Sequence, residues 1–192
     1  PVLHLASVVR GTQYGLSINA GSVGQYPMLR MINIEDGLCV ENDIKYVDLS
    51  EKDFETYRLV DGDVLFNRTN SYELVGRTGV YELKGDHVFA SYLVRLKTVP
   101  DKLEPKFLTL YLNSDFGRRQ VLAYATKAVS QANVNASNLL RVRLPLPPLD
   151  VQQQLLDEIA KAKCAGKAAM ERRTSSEVMK KQLFAEITGD AR

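Results

Sequence analysis

The sequence predicts an α+β fold, with a globular mixed-sheet domain over residues 1–148 and one long coiled-coil helix over residues 149–192. Three observations predict it. Residues 144–154 read LPLPPLDVQQQ, and three prolines in four positions cannot lie inside a helix or a central strand, because each lacks a backbone donor and fixes φ. Before this joint, short β-prone runs alternate with turn pairs and two stretches of helical period. After it, the chain is polar, free of proline and helix-forming. A chain of 192 residues with 45% hydrophobic content has room for one sizeable core plus such an extension.

The elements follow in order. Residues 26–34 (YPMLRMINI) are β-prone and meet the turn pair Asp36-Gly37 and then residues 38–40, the pattern of a hairpin. Residues 45–49 predict a short strand. Ser50 followed by Asp53 has the form of a helix start, with Phe54, Tyr57 and Arg58 continuing to about Leu59. Asp61-Gly62-Asp63 turns the chain into a buried strand at 64–66. Strands at 74–83 and 88–97 flank the turn Lys84-Gly85-Asp86. Phe107, Leu108, Tyr111 and Leu112 have helical spacing, with Pro105 suited to the first turn of a helix at 104–113. A second helix covers 116–124. Residues 139–146 alternate apolar and basic side chains at Leu140, Arg141, Val142, Arg143 and Leu144, which predicts a strand with one cationic face. Asp150 then takes an N-cap position with Pro147 and Pro148 just outside, and the helix runs to about Ile187 before Gly189.

Composition narrows the function class. No apolar run approaches 18 residues and no charged-then-apolar leader opens the chain, which points away from membrane and secretory roles. Cys39 and Cys164 fall on opposite sides of the joint without a metal-ligand cluster, so both read as reduced thiols of a cytoplasmic protein. Net charge is only +2, but its distribution is uneven. Residues 35–63 carry ten acids against three bases, residues 64–149 twelve bases against six acids, and the tail from Asp150 is nearly balanced at +1. A basic region can draw a polyanion to a near-neutral protein, because the local field steers.

The tail carries an imperfect seam. Leu155, Ile159, Ala162, Gly166 and Ala169 follow 4-3-4-3 spacing, and Leu183 and Ile187 extend the same face. Arg173, Ser176 and Lys180 interrupt it. A lone helix of this length with so narrow a stripe needs a partner, since propensity alone does not stabilise it in water. Gly166 costs about 1 kcal/mol relative to Ala, and at a seam position it lets a second helix approach.

Three polar loops carry the candidate chemistry. The first is Arg10-Gly11-Thr12-Gln13-Tyr14-Gly15. The second, Asn67-Arg68-Thr69-Asn70-Ser71, directly follows the buried strand at 64–66. The third runs from Lys127 to Asn138 around Ser130, Gln131 and Asn133. Each combines side chains that donate and accept with a base. Asn and Gln pair with adenine, Arg with guanine, and Thr and Ser reach phosphates or the thymine methyl. One such loop alone could be simple turn chemistry; three beside a basic region favour nucleic acid.

Catalytic patterns are weaker. His4 and His87 lie apart without ligand-spaced partners and read as structural or surface residues. No Gly-rich phosphate loop is present. Asp63 with Glu82 and Lys84 has the outline of a Mg²⁺ nuclease site, although Lys84 runs straight into a turn.

The motifs GTQYGLS (11–17), YPMLRMINIEDG (26–37), GDVLFNRTNS (62–71), LVGRTGVY (74–81), QANVNASNL (131–139) and LPLPPLDVQQQ together resemble one half of the specificity subunit of a type I restriction-modification enzyme. That half is a target recognition domain followed by a spacer helix. After the prolines the family usually has an acid and a glutamine, close to Asp150 and to Gln152 or Gln153 here. A complete family member has two such domains with paired helices; this chain has one of each. It is therefore either a half-subunit that dimerises or a piece of a longer chain.

The resemblance implies no catalysis and no cofactor in this chain. Its head would read one half of a split duplex DNA site, and its helix, roughly 57 Å long at 1.5 Å per residue, would set the gap to the other half. Methyltransferase subunits using S-adenosylmethionine would dock on it, and through them restriction and translocase subunits using ATP and Mg²⁺. On this reading Asn67, Arg68, Thr69, Asn70 and Ser71 form the central contact loop. Thr12, Gln13, Tyr14, Lys127, Ser130, Gln131 and Asn133 flank it, with Arg68 and Gln131 at base edges and Thr12, Ser71 and Lys127 nearer phosphates. The rivals are the Mg²⁺ nuclease and a scaffold whose helix pairs with protein while the head never touches DNA.

Overall fold

The computed structural model describes residues 1–127 and 131–188, the side chains of Lys127 and of residues 181–188 excepted. β1 (Val2–His4) leads through a 3-10 turn into β2 (Val9–Tyr14). β3 (Tyr26–Leu29), β4 (Ile34–Glu35), β5 (Leu38–Cys39) and β6 (Lys45–Val47) precede α1 (Glu51–Tyr57). Then come β7 (Val64–Asn67), β8 (Thr69–Asn70), β9 (Thr78–Val80), β10 (Val88–Phe89) and β11 (Leu93–Thr98). α2 (Pro105–Asn113), α3 (Asp115–Ala123), β12 (Thr126–Lys127), β13 (Ala132–Asn133), α4 (Ala136–Leu139), β14 (Arg143–Pro145) and α5 (Leu149–Thr188) complete the order. Pro1–Gln152 is one compact unit, and the rest of α5 is a second. No helix among the described residues is long and apolar enough to cross a membrane.

Two sheets enclose the core. The larger has the order β2-β11-β7-β9-β5-β4, and the smaller β10-β3-β6. β7 is buried along its whole length and β11 everywhere but Lys97, which makes them the centre of the larger sheet. Leu29, Leu65, Tyr81, Phe89 and Leu93 pack in one cluster; Met28, Val47, Phe54 and Val88 pack in another. Tyr26 and Phe54 stack with ring centroids 4.1 Å apart, which docks α1 on the smaller sheet.

A guanidinium sits inside this apolar frame. Arg95 is 5% exposed and its partner Asp63 3%. Its Nη1 lies 3.2 Å from Asp63 Oδ2 and donates to the Arg58 carbonyl at 2.6 Å. Its Nη2 donates to the Thr56 carbonyl at 3.1 Å and to Gln13 Oε1, and its guanidinium carbon lies over the Phe89 ring, 5.1 Å from the centroid. The end of α1, the turn at Asp63, β2 and β11 are therefore tied through one side chain.

Several predicted elements appear as drawn. The Asp36-Gly37 hairpin joins β4 to β5 with Ile34 opposite Cys39, and both turn residues adopt positive φ, 49° and 87°, as a two-residue turn of this hand requires. Ser50 caps α1 by accepting the Asp53 N–H, and Pro105 opens α2.

Others are corrected. Residues 26–34 are two strands in different sheets rather than one. Residues 74–83 hold only the short β9, because the Ser71 carbonyl accepts the N–H groups of Leu74 and Val75 and turns the chain there. Residues 88–97 break at Ala90–Tyr92, where Ser91 N–H bonds to Leu16 O and the chain crosses from the smaller sheet to the larger. Residues 139–146 are the end of α4, a turn and β14, because Asn135 caps α4 through the Asn138 N–H. The alternation holds locally: Val142 and Leu144 are buried while Arg141 and Arg143 are exposed.

At the proline joint Asp150 is not the cap. Helix α5 begins at Leu149 and Pro148 occupies the cap, its carbonyl accepting the Gln152 N–H at 3.0 Å. Gln152 is fully buried. Its Oε1 accepts the Glu104 N–H at 2.9 Å, and its Nε2 donates to the Lys102 and Pro147 carbonyls at 2.8 Å each. Of the two candidate glutamines, Gln152 is thus the one that locks the first turn of α5 into the globular unit; Gln153 is exposed and bonds only along the helix to Asp157. The predicted end at Gly189 lies outside the described residues.

Removing one partner of a buried ion pair leaves the other charge uncompensated, at a cost of about 3–5 kcal/mol. Arg95→Ala is expected to lower stability on that order in denaturant unfolding, and a loss under 1 kcal/mol would show that Arg95 is not the tie described here.

Candidate nucleic-acid interface

The three polar loops converge at one end of β7. The Asn67 N–H bonds to the Arg77 carbonyl and the Asn67 carbonyl accepts from Gly76, both at 2.8 Å. Gly76 has φ +87°, and a Cβ there would lie 2.9 Å from Val121, so the return strand needs glycine at this point. The Arg68 N–H then bonds to the Tyr92 carbonyl at 2.9 Å, and the Arg68 carbonyl accepts from Val134 at 2.9 Å. These bonds set β8 against β13, with Thr69 opposite Asn133 and Asn70 opposite Ala132. β12 pairs with the other edge of β13. The second and third loops are therefore one small sheet.

The first loop joins them through Tyr14. Its hydroxyl accepts the N–H of Ala136, the first residue of α4, at 3.0 Å. Its ring lies 5.0 Å beneath the Arg68 guanidinium. Arg68 Nη2 donates to Asn133 Oδ1 at 3.3 Å, and Asn133 Nδ2 donates to Thr69 Oγ1 at 2.7 Å. A planar cation is thus held over an aromatic ring and steered at one arm by an amide. Stacked guanidinium groups are pre-organised for planar, two-pronged recognition of acceptors.

The remaining candidates differ in how they are used. Asn67 is fully buried below this surface, and neither end of its amide has a hydrogen-bond partner among the described residues. Gln13 is spent on the core, its oxygen taken by Arg95 and its nitrogen donating to the Thr56 carbonyl at 3.1 Å. Thr12 is half-buried in the ladder opposite Leu96. Asn70 accepts the Ser71 N–H at 2.8 Å. The Glu73 carboxyl is held below the ordinary carboxylate range by its own backbone N–H and by the Ser71 hydroxyl. Gln131 is exposed. Lys127 lies on β12 opposite Ala132, and Ser130 lies outside the described residues.

Two features were not singled out from sequence. Arg118 of α3 reaches the carbonyls of Tyr72, Glu73 and Val75 and shapes the turn after Ser71. Arg141 covers the Tyr124 ring at 5.0 Å, a second arginine-on-tyrosine stack. The Asn135–Asn138 cap signal would have revealed α4, but nothing local links Arg118 to a turn more than forty residues earlier.

The nuclease outline fails on the partners of its carboxylates. Asp63 is committed to Arg95 and to the Val60 N–H, and Glu82 pairs with Lys106 at 2.7 Å. Among the described residues no three His, Cys, Asp or Glu side chains gather as metal ligands. His87 is buried between the Tyr81 hydroxyl and Glu41, 2.9 Å from each. His4 is exposed and bonds to the Arg141 carbonyl.

On α5, Leu155, Ala162, Gly166 and Ala169 are exposed and Ile159 is partly so. A Cβ at Gly166 would meet nothing within 4 Å. The side chains of Leu183 and Ile187 lie outside the description.

Residues 11–162 match the model of the type I restriction modification DNA specificity domain, and the chain belongs to that family. It is 33% identical over 159 residues to a putative type I restriction enzyme MjaX specificity subunit of Methanocaldococcus jannaschii, covering 80% of this chain and 37% of the relative. Identity to the EcoKI specificity subunit of Escherichia coli K12 is 27%, over 82% of this chain and 34% of that one. Among solved structures, the HsdS subunit from Thermoanaerobacter tengcongensis superposes with a TM-score of 0.64 at 18% identity, over 97% of this chain and 48% of that one. The chain thus spans about a third of the length of these curated relatives.

Tyr14→Phe keeps the ring beneath Arg68 but leaves the buried Ala136 N–H without its acceptor. Such an orphaned donor costs about 1–3 kcal/mol, so unfolding stability is expected to fall in that range; an unchanged midpoint would mean that the hydroxyl does not hold α4.

Proposed function

We propose that this chain reads one half of a split duplex DNA site as the specificity element of a type I restriction-modification complex. The observation that carries the reading is the convergence of all three polar loops on Arg68, stacked on Tyr14 and steered by Asn133. Family membership supports the same assignment. Arg68 and Gln131 read base edges, while Thr12, Ser71 and Lys127 sit nearer phosphates, with Asn70, Thr69 and Asn133 completing the surface. Gln13 acts from beneath by bonding to Arg95 and the Thr56 carbonyl, and Asn67 by its backbone bonds to Arg77 and Gly76.

The chain has no catalysis of its own on this reading. Methylation with S-adenosylmethionine belongs to methyltransferase subunits docked on it, and ATP- and Mg²⁺-dependent restriction to further subunits, all in the cytoplasm. The exposed seam of α5 pairs with an equivalent helix, from a second copy or from a second half of a longer chain. A helix of 40 residues is about 60 Å long, enough to separate two reading heads along a duplex. Two copies about a twofold axis would read an inverted, interrupted repeat.

Light scattering with and without duplex tests the pairing: one duplex per two chains supports it, and a monomer indifferent to duplex at low salt favours the scaffold reading instead. Within the interface, Arg68→Ala is expected to cost on the order of 1–3 kcal/mol of cognate binding and to relax discrimination at one base pair. Lys127→Ala should weaken all duplexes alike and flatten the salt dependence. Unchanged affinity and selectivity in Arg68→Ala would overturn the assignment.

A further inference from the structure

A cleft of about 390 Å³ is lined in part by Leu16, two residues after Tyr14, and by Tyr92, whose carbonyl accepts the Arg68 N–H. Its place follows from the backbone. Just beyond Tyr14, the Leu16 N–H donates to the Phe89 carbonyl and the Ser91 N–H to the Leu16 carbonyl, both at 2.8 Å. Gly15 is required at this crossing, because a Cβ would lie 2.4 Å from the carbonyl oxygens of Phe89 and Ala90. The Tyr92 carbonyl in turn holds the Arg68 N–H. The segments that carry Tyr14 and Arg68 are therefore continuous with the walls of the cleft.

Its lining has two characters. Ile18, Ile32 and Tyr92 are 44%, 46% and 47% exposed, although apolar side chains on a protein surface are usually scattered singly. Against them stand two cations, Arg30 and Lys45, which share one carboxylate. Arg30 Nη2 lies 2.9 Å from Asp43 Oδ2 and Lys45 Nζ 3.7 Å from Asp43 Oδ1. Arg30 Nε is buried without a hydrogen-bond partner among the described residues. Asp43 itself is exposed, and its carboxyl is held below the ordinary range by the Arg30 hydrogen bond and the Lys45 charge. One anion facing two cations leaves the local balance positive.

We propose that this cleft is a sugar–phosphate subsite that seats one DNA strand beside the base-reading surface. The phosphate meets Arg30 and Lys45, and the deoxyribose packs on Ile18, Ile32 and Tyr92. A concave site lined by both cationic and apolar side chains fits a convex group that is anionic at one end and apolar at the other. Base edges carry no charge and would leave both cations to Asp43 alone. Arginine and lysine are the usual donors to DNA phosphates, and the volume suits a group of nucleotide size. The inference rests on the reading of the Arg68 surface as a duplex interface. It also assigns Asp43 a sign, because that carboxylate competes with phosphate for the same donors.

The test is a duplex titration of the full chain at several salt concentrations, with cognate and unrelated sequences. Lys45→Gln is expected to weaken both several-fold by the same factor and to reduce the salt slope by about 0.9. Asp43→Asn should tighten both and steepen the slope. Asn tolerates the positive φ of 45° at this position, so this variant separates charge from backbone strain. Lys45→Arg, which keeps the charge, should retain wild-type affinity even if Lys45→Gln proves unstable. If Lys45→Gln and Asp43→Asn leave affinity and slope unchanged while Arg68→Ala still lowers discrimination, the subsite is overturned and the duplex reading stands. If all three are inert, both fall. A calorimetric titration with ATP and dAMP distinguishes the source of the phosphate: Lys45-dependent binding of a free nucleotide, with duplex binding unaltered, would overturn the strand assignment.

Discussion

Arg95 is the constraint on which the globular unit depends. A guanidinium cannot be left in an apolar interior without partners, since desolvation costs several kcal/mol. Here the four partners come from three stretches of chain: Asp63 from the turn before β7, the carbonyls of Thr56 and Arg58 from the end of α1, and Gln13 from β2. Satisfying one charge thus fixes the register of β2 on β11 and the seat of α1. It also fixes where β2 ends, and so where Tyr14 meets Arg68. The reading surface inherits its geometry from a polar contact beneath it.

Charge is arranged along the same lines. The acidic stretch at 35–63 contributes Asp43 as partner to the cations of the cleft and Asp63 to the core, and in both places the carboxylate answers an arginine. The basic stretch supplies Arg68 on its tyrosine and Arg118 on three backbone carbonyls. Arg68 and Arg118 are not ordinary solvated charges. They are held by stacking or by carbonyls, which orients a guanidinium without neutralising it and leaves its positive charge available to an anion.

Much of the framework was legible because its signals are local. Ser50 and Asp53, Pro105, the Asp36-Gly37 pair and the buried run at 64–66 each act over a few residues, and each appears in the structure. The strands at 74–83 and 88–97 were overread for the converse reason: β propensity continues through both, but Ser71 and Arg118 turn one and a change of sheet breaks the other. The loop at 127–138 hid a helix because its Asn-rich composition serves a cap as well as it serves a base contact.

Sequence by itself determined the proline joint, the Ser50 cap of α1, the Pro105 start of α2, the hairpin and the polar character of three loops, since each follows from the backbone preferences of neighbouring residues. Tertiary structure alone decided that the loops meet, that Gln13 belongs to the core while Arg68 belongs to the surface, and that Gln152 rather than Gln153 secures the joint. The physical reason is that a polar side chain states what it can bond to but not which partner it finds. That choice is made by strands and turns brought together from as far apart as residues 14 and 136.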